Sequence, residues 1–83
     1  MSAKEMFEAL DYEQTANSDN LIEYTDDSHG DGDYKYVSFN RMWKEYEVGY
    51  FDGYDTKRKQ PIDVSIEEHE AITQQMKELG WVK

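Results

Sequence analysis

Two Ser-x-x-Glu boxes bracket this chain, Ser2–Glu5 near its start and Ser65–Glu68 near its end, and each opens an apolar stripe of helical period. In such a box the serine oxygen accepts the amide three residues on. The glutamate reaches back to the serine amide, so two donors that a helix start leaves orphaned are satisfied together. After Ser2, the residues Ala3, Met6, Phe7 and Leu10 follow at i, i+3, i+4 and i+7, which predicts a helix over Ala3–Leu10. After Ser65, Ile66, His69, Ile72, Met76 and Leu79 share one face, which predicts a helix over Ile66–Leu79. Glu67, Glu68 and Glu70 crowd its first turns and Lys77 its last, as the helix dipole favours. Gly80 stands where a left-handed cap residue belongs, and Trp81 is the apolar residue that folds back on the last turn.

Between the helices the period changes to two. Tyr34–Phe39 alternates, with Lys35, Val37 and Phe39 on one face and Tyr34, Tyr36 and Ser38 on the other. Met42–Tyr50 alternates again, with Met42, Lys44, Tyr46, Val48 and Tyr50 on one side and Trp43, Glu45 and Glu47 on the other. Asn40-Arg41 between them reads as the turn of a hairpin. Leu21–Tyr24 is a short strand after the polar run Asn17–Asn20. Tyr12, Gln14 and Ala16 offer an edge strand before it, and Ile62–Val64 a further short one. The expected fold is α+β in the order α-β-β-β-α. It is a small antiparallel sheet of three or four strands flanked by an N-terminal and a C-terminal helix. Residues 1–83 make a single domain, since a chain of 83 residues has no room for a second core. Hydrophobic residues are only 37%, but seven Tyr, three Phe and two Trp supply the buried area of a folded domain.

Charge is distributed unevenly. Residues 1–34 hold ten of the 19 acids against one base, Lys4, whereas residues 35–83 hold nine acids and eight bases. Most of the net charge of -10 therefore lies in the first two-fifths of the chain. Such a field repels nucleic acid and anionic membranes and attracts a basic protein surface. The absence of cysteine excludes disulfides, thiolate zinc sites and cysteine nucleophiles, and suits a reducing compartment. The start Met1–Glu5 is neither basic nor followed by an apolar run, and no stretch is long enough to span a membrane. The expected location is the cytoplasm.

Several constellations invite chemistry. With Asp27 as position one of a calcium loop, Asp31 and Gly32 fall correctly at five and six. His29 then falls at three and Ser38 at twelve, where oxygen donors and a bidentate Glu are needed, so an acidic loop is the better reading. His29 and His69 are the only histidines, and neither has a nucleophile or ligand partner at a useful spacing. His69, at the edge of the second helical stripe, is expected to be packed. Lys57-Arg58-Lys59 is the sole basic cluster and reads as a solvated loop. No phosphate loop, nucleophile elbow or zinc-protease motif is present. The expectation is a protein that is not an enzyme and has no cofactor and no metal.

Lys4–Tyr12 (KEMFEALDY) and Ile66–Trp81 (IEEHEAITQQMKELGW) resemble the ends of short hypothetical proteins of Gram-positive phages and prophages. Those open with a K-x-F-x-x-L-G-Y-like segment and close with an I-x-x-Q-I-x-E-L-G-W-like helix. Here Asp11 replaces the glycine before the tyrosine, which puts the exit of the first helix in question. The resemblance implies a small accessory protein made in a bacterial host cell, and it carries no catalytic residues.

Short acidic proteins in that setting often occupy nucleic-acid-binding grooves, which points to a nucleic-acid mimic that inhibits a host defence nuclease. The residues expected to meet a basic partner are Asp19, Glu23, Asp26, Asp27, Asp31 and Asp33, together with Tyr34, Tyr36 and Trp43 on the sheet face away from the helices. The alternative is a structural or assembly protein that uses the aromatic face for oligomer or partner contact, as monomer or homodimer.

Overall fold

Each box does what its spacing requires. In the computed structural model, which describes residues 1–28, 32–51 and 63–82, Ser2 Oγ accepts the Glu5 amide at 3.2 Å and Glu5 Oε1 accepts the Ser2 amide at 3.0 Å. They start α1, Ala3–Glu8. Ser65 and Glu68 make the same reciprocal pair at 3.0 and 3.1 Å and start α2, Ile66–Glu78. Between them lie β1 (Glu13–Asn17), β2 (Leu21–Asp26), β3 (Tyr34–Asn40) and β4 (Glu45–Phe51). The four form one antiparallel sheet in sequence order, the topology that short hairpin connections produce.

Both helices also end alike. At α2 the Trp81 amide reaches Met76 O (2.9 Å) and the Gly80 amide Lys77 O (3.0 Å), with Gly80 at φ 75°. At α1 the Tyr12 amide reaches Phe7 O (3.0 Å) and the Asp11 amide Glu8 O (3.1 Å), with Asp11 at φ 71°. Asp11 therefore takes the left-handed position after a helix that glycine most often occupies, and the exit of α1 has the same geometry as that of α2. The cost is the steric penalty an L-residue carries there, about 1 kcal/mol.

The helices cover one sheet face. Phe7 and Tyr12 from the α1 end, Ile22 and Tyr24 from β2, Val37 and Phe39 from β3, and Ala71 and Ile72 from α2 form one buried cluster. Phe7 stacks on Tyr24 with ring centroids 4.1 Å apart, and Phe39 meets Trp81 at 6.2 Å. Full burial of each such side chain is worth about 1.5–3 kcal/mol. Inside this apolar layer Tyr24 donates to Gln75 Oε1 at 2.6 Å and receives Gln14 Nε2 at 3.3 Å. From the end of α2, Glu78 Oε2 accepts the Ala3 amide at 2.7 Å, so one helix caps the other.

The edge strand expected around Tyr12, Gln14 and Ala16 is present as β1, so the sheet has four strands. Three expectations are corrected. Asp63 and Val64 form no strand, while Ile62 lies outside the described residues. Met42, Trp43 and Lys44 do not belong to the second hairpin strand. Asn40 Oδ1 accepts the Met42 and Trp43 amides at 3.0 Å each, and Lys44 turns at φ 54°, so a four-residue turn precedes β4. Finally, Ile66 is 74% exposed and His69 is exposed as well. Six residues of helix leave Ile66 about 120° away from Ile72. The inward stripe is Glu68, Ala71, Ile72, Gln75, Met76 and Leu79, so Ile72, Met76 and Leu79 keep their expected place while Ile66 and His69 do not.

Candidate protein-interaction face

Strand parity decides what the uncovered sheet face carries. Since Val37 and Phe39 point to the helices, Tyr34, Tyr36, Ser38 and Asn40 must point away. The register carries this across the sheet, Glu23↔Ser38↔Glu47, Thr25↔Tyr36↔Gly49, Asn40↔Glu45, Tyr34↔Phe51 and Glu13↔Thr25. The open face therefore bears Glu13, Glu23, Glu45 and Glu47, and none of its strand positions holds Lys or Arg.

One end of it, where β3 begins and β4 ends, is aromatic. Tyr34 stacks on Phe51 at 5.0 Å and meets Tyr36 at 6.2 Å. The Tyr36 ring lies over Gly49, where a Cβ would collide with it, so a glycine in the middle of β4 is what lets the ring lie flat. The Tyr36 hydroxyl donates to Glu47 Oε1 at 3.1 Å. Burial under its neighbours pushes the Tyr36 phenol above its ordinary value, and the hydrogen bond to Glu47 adds to that. Beside these rings Leu21, Ser38, Asn40, Glu45, Tyr46 and Glu47 enclose a depression of about 170 Å³.

The residues expected to meet a partner are not all brought together. Glu23, Tyr34 and Tyr36 share the open face. Asp19 sits in the β1–β2 turn, and Trp43, 69% exposed, in the β3–β4 turn at the same end of the sheet. Arg41 joins these two turns through Ser18 O (2.9 Å) and Asn20 O (2.9 Å). Trp43 is thus off the sheet face, because the Asn40 turn ends the alternation before it. Asp26, Asp27 and Asp33 lie at the opposite end. Asp26 caps the Ser28 amide at 2.9 Å, and Asp33 accepts the Tyr50 hydroxyl at 3.1 Å. Asp31, His29 and part of the calcium-loop reading lie outside the described residues, as do Lys57-Arg58-Lys59 and Pro61. Phe51 and Glu13 on the open face follow only from the register.

A second polar centre lies on the helix side, around Glu68. Its carboxylate accepts the Tyr12 hydroxyl at 2.6 Å and Lys35 Nζ at 2.8 and 3.0 Å, and Lys35 also donates to Asp63 O at 2.6 Å. Burial alone would raise the Glu68 carboxyl. The hydrogen bonds from Lys35, Tyr12 and the Ser65 amide outweigh that and hold it below the usual carboxylate value. Burial, with the bond to Glu68, pushes the Tyr12 phenol far up. Leu10, Tyr12, Asp26, Lys35, Ser65 and Glu68 line a cavity of about 230 Å³, but its polar groups answer one another. It joins the α1 exit, β3 and α2, and so is a structural clasp.

Among the described residues no group of three or more His, Cys, Asp or Glu is arranged to hold a metal, and no helix is long and apolar enough to cross a membrane. Comparison with protein-family models, with curated proteins and with solved structures brings no match.

Proposed function

We propose that this protein is a non-catalytic binding module whose open sheet face docks on a basic surface of another protein. The observation that carries this reading is the composition of the face. Four glutamates share the face with stacked aromatic rings, and no cation stands among the strand positions to neutralise them. Exposed aromatic rings supply contact area at low entropic cost, while the carboxylates steer a cationic partner and set its orientation. Two copies face to face would set four glutamates against four, which argues for a basic partner over a second copy. The resemblance to phage and prophage proteins makes the target class we infer a nucleic-acid-binding groove of a host defence nuclease, with the carboxylates in the place of phosphates.

The test is affinity capture from bacterial lysate at low and high ionic strength. Basic nucleic-acid-binding proteins are expected with the wild type at low ionic strength only. A Glu23→Gln/Glu45→Gln/Glu47→Gln variant should fold normally and lose them. An Asp19→Asn/Asp27→Asn variant, altered at the two ends of the sheet, should lose far less. Undiminished capture by the sheet-face variant overturns the assignment.

A further inference from the structure

Large apolar side chains stand in water at one end of the sheet. Met42 is 66% exposed, Trp43 69% and Tyr46 46%, within five residues of one another at the β3–β4 turn and the start of β4. Neither Met42 nor Trp43 belongs to the buried cluster or packs against it. Apolar residues exposed singly are ordinary, but large ones gathered at one place mark a contact site. This end of the sheet is also stiff. Asn40 Oδ1 holds the Met42 and Trp43 amides at 3.0 Å each, and Lys44 closes the turn at φ 54°. The Arg41 amide donates to Asn20 O and its guanidinium to Ser18 O, both at 2.9 Å, which ties this turn to the β1–β2 turn. There the Ser18 hydroxyl accepts the Asn20 and Leu21 amides at 3.3 and 3.2 Å. The backbone that presents Met42 and Trp43 is therefore already ordered, and a partner that takes up the two side chains need not order it.

Charge and area together say what covers this tip. The depression of about 170 Å³ begins directly after the turn, and Glu45 and Glu47 are exposed in its wall. Neither takes part in an ion pair among the described residues, where Lys35–Glu68 is the only one. This end of the sheet sets Asp19, Glu23, Glu45 and Glu47 against Arg41 and Lys44, so its balance is acidic. Aromatic side chains bury about 150–250 Å² each, so the exposed parts of Met42, Trp43 and Tyr46 come to about 400 Å², half of the about 800 Å² per partner in a standard interface. The group is too small to hold two copies of the chain together by itself. A wider contact between copies would set Glu45 and Glu47 against like charges. It has the size of an anchor within a larger interface, and the carboxylates beside it continue that interface toward cations.

We propose that Met42 and Trp43 anchor the partner by entering an apolar pocket on it whose rim carries Lys or Arg opposite Glu45 and Glu47. This inference rests on the basic-partner reading above and adds the apolar half of the partner's chemistry. The rim charges set orientation and association rate, while the indole, taken out of water, supplies most of the affinity. A lipid surface would also take up the two side chains, but the net charge of -10 on the chain favours a cationic protein over an anionic bilayer.

The probe is per-guanidino-β-cyclodextrin, an apolar cavity ringed by guanidinium groups, compared with neutral β-cyclodextrin by calorimetry. At low ionic strength the wild type should bind the charged form about five- to tenfold more tightly than the neutral one. Glu45→Gln/Glu47→Gln should erase that preference, and Trp43→Ala, which lies outside the core and should fold normally, should lose both ligands. Equal affinity for the two cyclodextrins, or binding that survives Trp43→Ala, overturns the proposal. In the lysate capture described above, Trp43→Ala should cost about tenfold or more of the basic proteins although it changes no charge. Ile66→Ala, at a residue 74% exposed on α2, should cost none. Undiminished capture by Trp43→Ala overturns the anchor and leaves the basic-surface reading standing, whereas no capture by the wild type overturns both. Trp43-dependent binding to phosphatidylcholine vesicles, or a Trp43-dependent dimer in light scattering, assigns the tip to a membrane or to a second copy and overturns the proposal.

Discussion

The buried hydrogen bond between Tyr24 and Gln75 gives the sharpest test of how this core is held. Tyr24 is 1% exposed and Gln75 4% exposed, and the hydroxyl donates to Gln75 Oε1 at 2.6 Å. Tyr24→Phe keeps the ring stacked on Phe7 and removes only that hydroxyl. Judged by apolar transfer alone, the change would be neutral or favourable. The hydrogen-bond argument says otherwise. The net bond is worth about 1 kcal/mol, and leaving the Gln75 oxygen buried without a donor costs about 1–3 kcal/mol more. The expected loss is about 2–3 kcal/mol. For a domain of this size that lowers Tm by about 10–20 °C. Adding Gln75→Leu removes the stranded amide along with its partner. The double variant should then return to within about 1 kcal/mol of the wild type, because replacing both partners by apolar groups is nearly neutral. Urea unfolding followed by tryptophan fluorescence measures this, since Trp81 rests against Phe39 at 6.2 Å and reports the core. Equal m values would confirm that the native and unfolded states are comparable. A Tyr24→Phe cost below about 0.5 kcal/mol, or simple additivity in the double variant, would refute the reasoning.

Asp11→Gly should stabilise the protein by about 0.5–1 kcal/mol, because φ 71° is strained for aspartate and free for glycine. Gly80→Ala at φ 75° should do the reverse, and thermal melts of both variants check the pair. Gly49→Ala should cost about 1–2 kcal/mol, since the new methyl displaces the Tyr36 ring. In a Tyr36→Thr background the same change should be neutral or favourable, and an equal cost in both backgrounds would discard the ring-over-glycine account. Stability should also fall on the acid side. The Glu68 carboxyl is held below its unfolded value of 4.5, so its contribution is complete above that pH and disappears as pH falls through the lower folded value. Glu68→Gln should flatten that limb of a stability–pH curve, and an unchanged acid limb would refute the clasp. The phenols of Tyr12, Tyr24 and Tyr36, raised mainly by burial, act at the other end. Their contribution is present below pH 10 and lost as pH rises beyond it.

Local chemistry was legible in the chain itself. The two capping boxes, the Gly80–Trp81 ending and the alternation of Tyr34–Phe39 involve partners within a few residues, so spacing alone specifies them. The aromatic open face follows from the same parity. The turn at Met42–Lys44 was harder, because alternation continues through it and only the Asn40 side chain breaks the ladder. The exposure of Ile66 was likewise hidden, since an apolar residue at the first helical position looks like the start of a stripe.

What the tertiary structure alone decided joins residues far apart in the chain. Tyr12 meets Glu68 across 56 positions, Tyr24 meets Gln75 across 51, and Lys35 meets Glu68 across 33. No local period encodes those pairs. Register also brought Glu13, Glu23, Glu45 and Glu47 onto one face while sending Asp19 and Asp27 to opposite ends. The amino-acid sequence by itself determined that this protein is acidic, where its helices start, and which strand positions share a face. Only the fold decided which acids act together, because strand pairing turns positions scattered along the chain into neighbours on one surface.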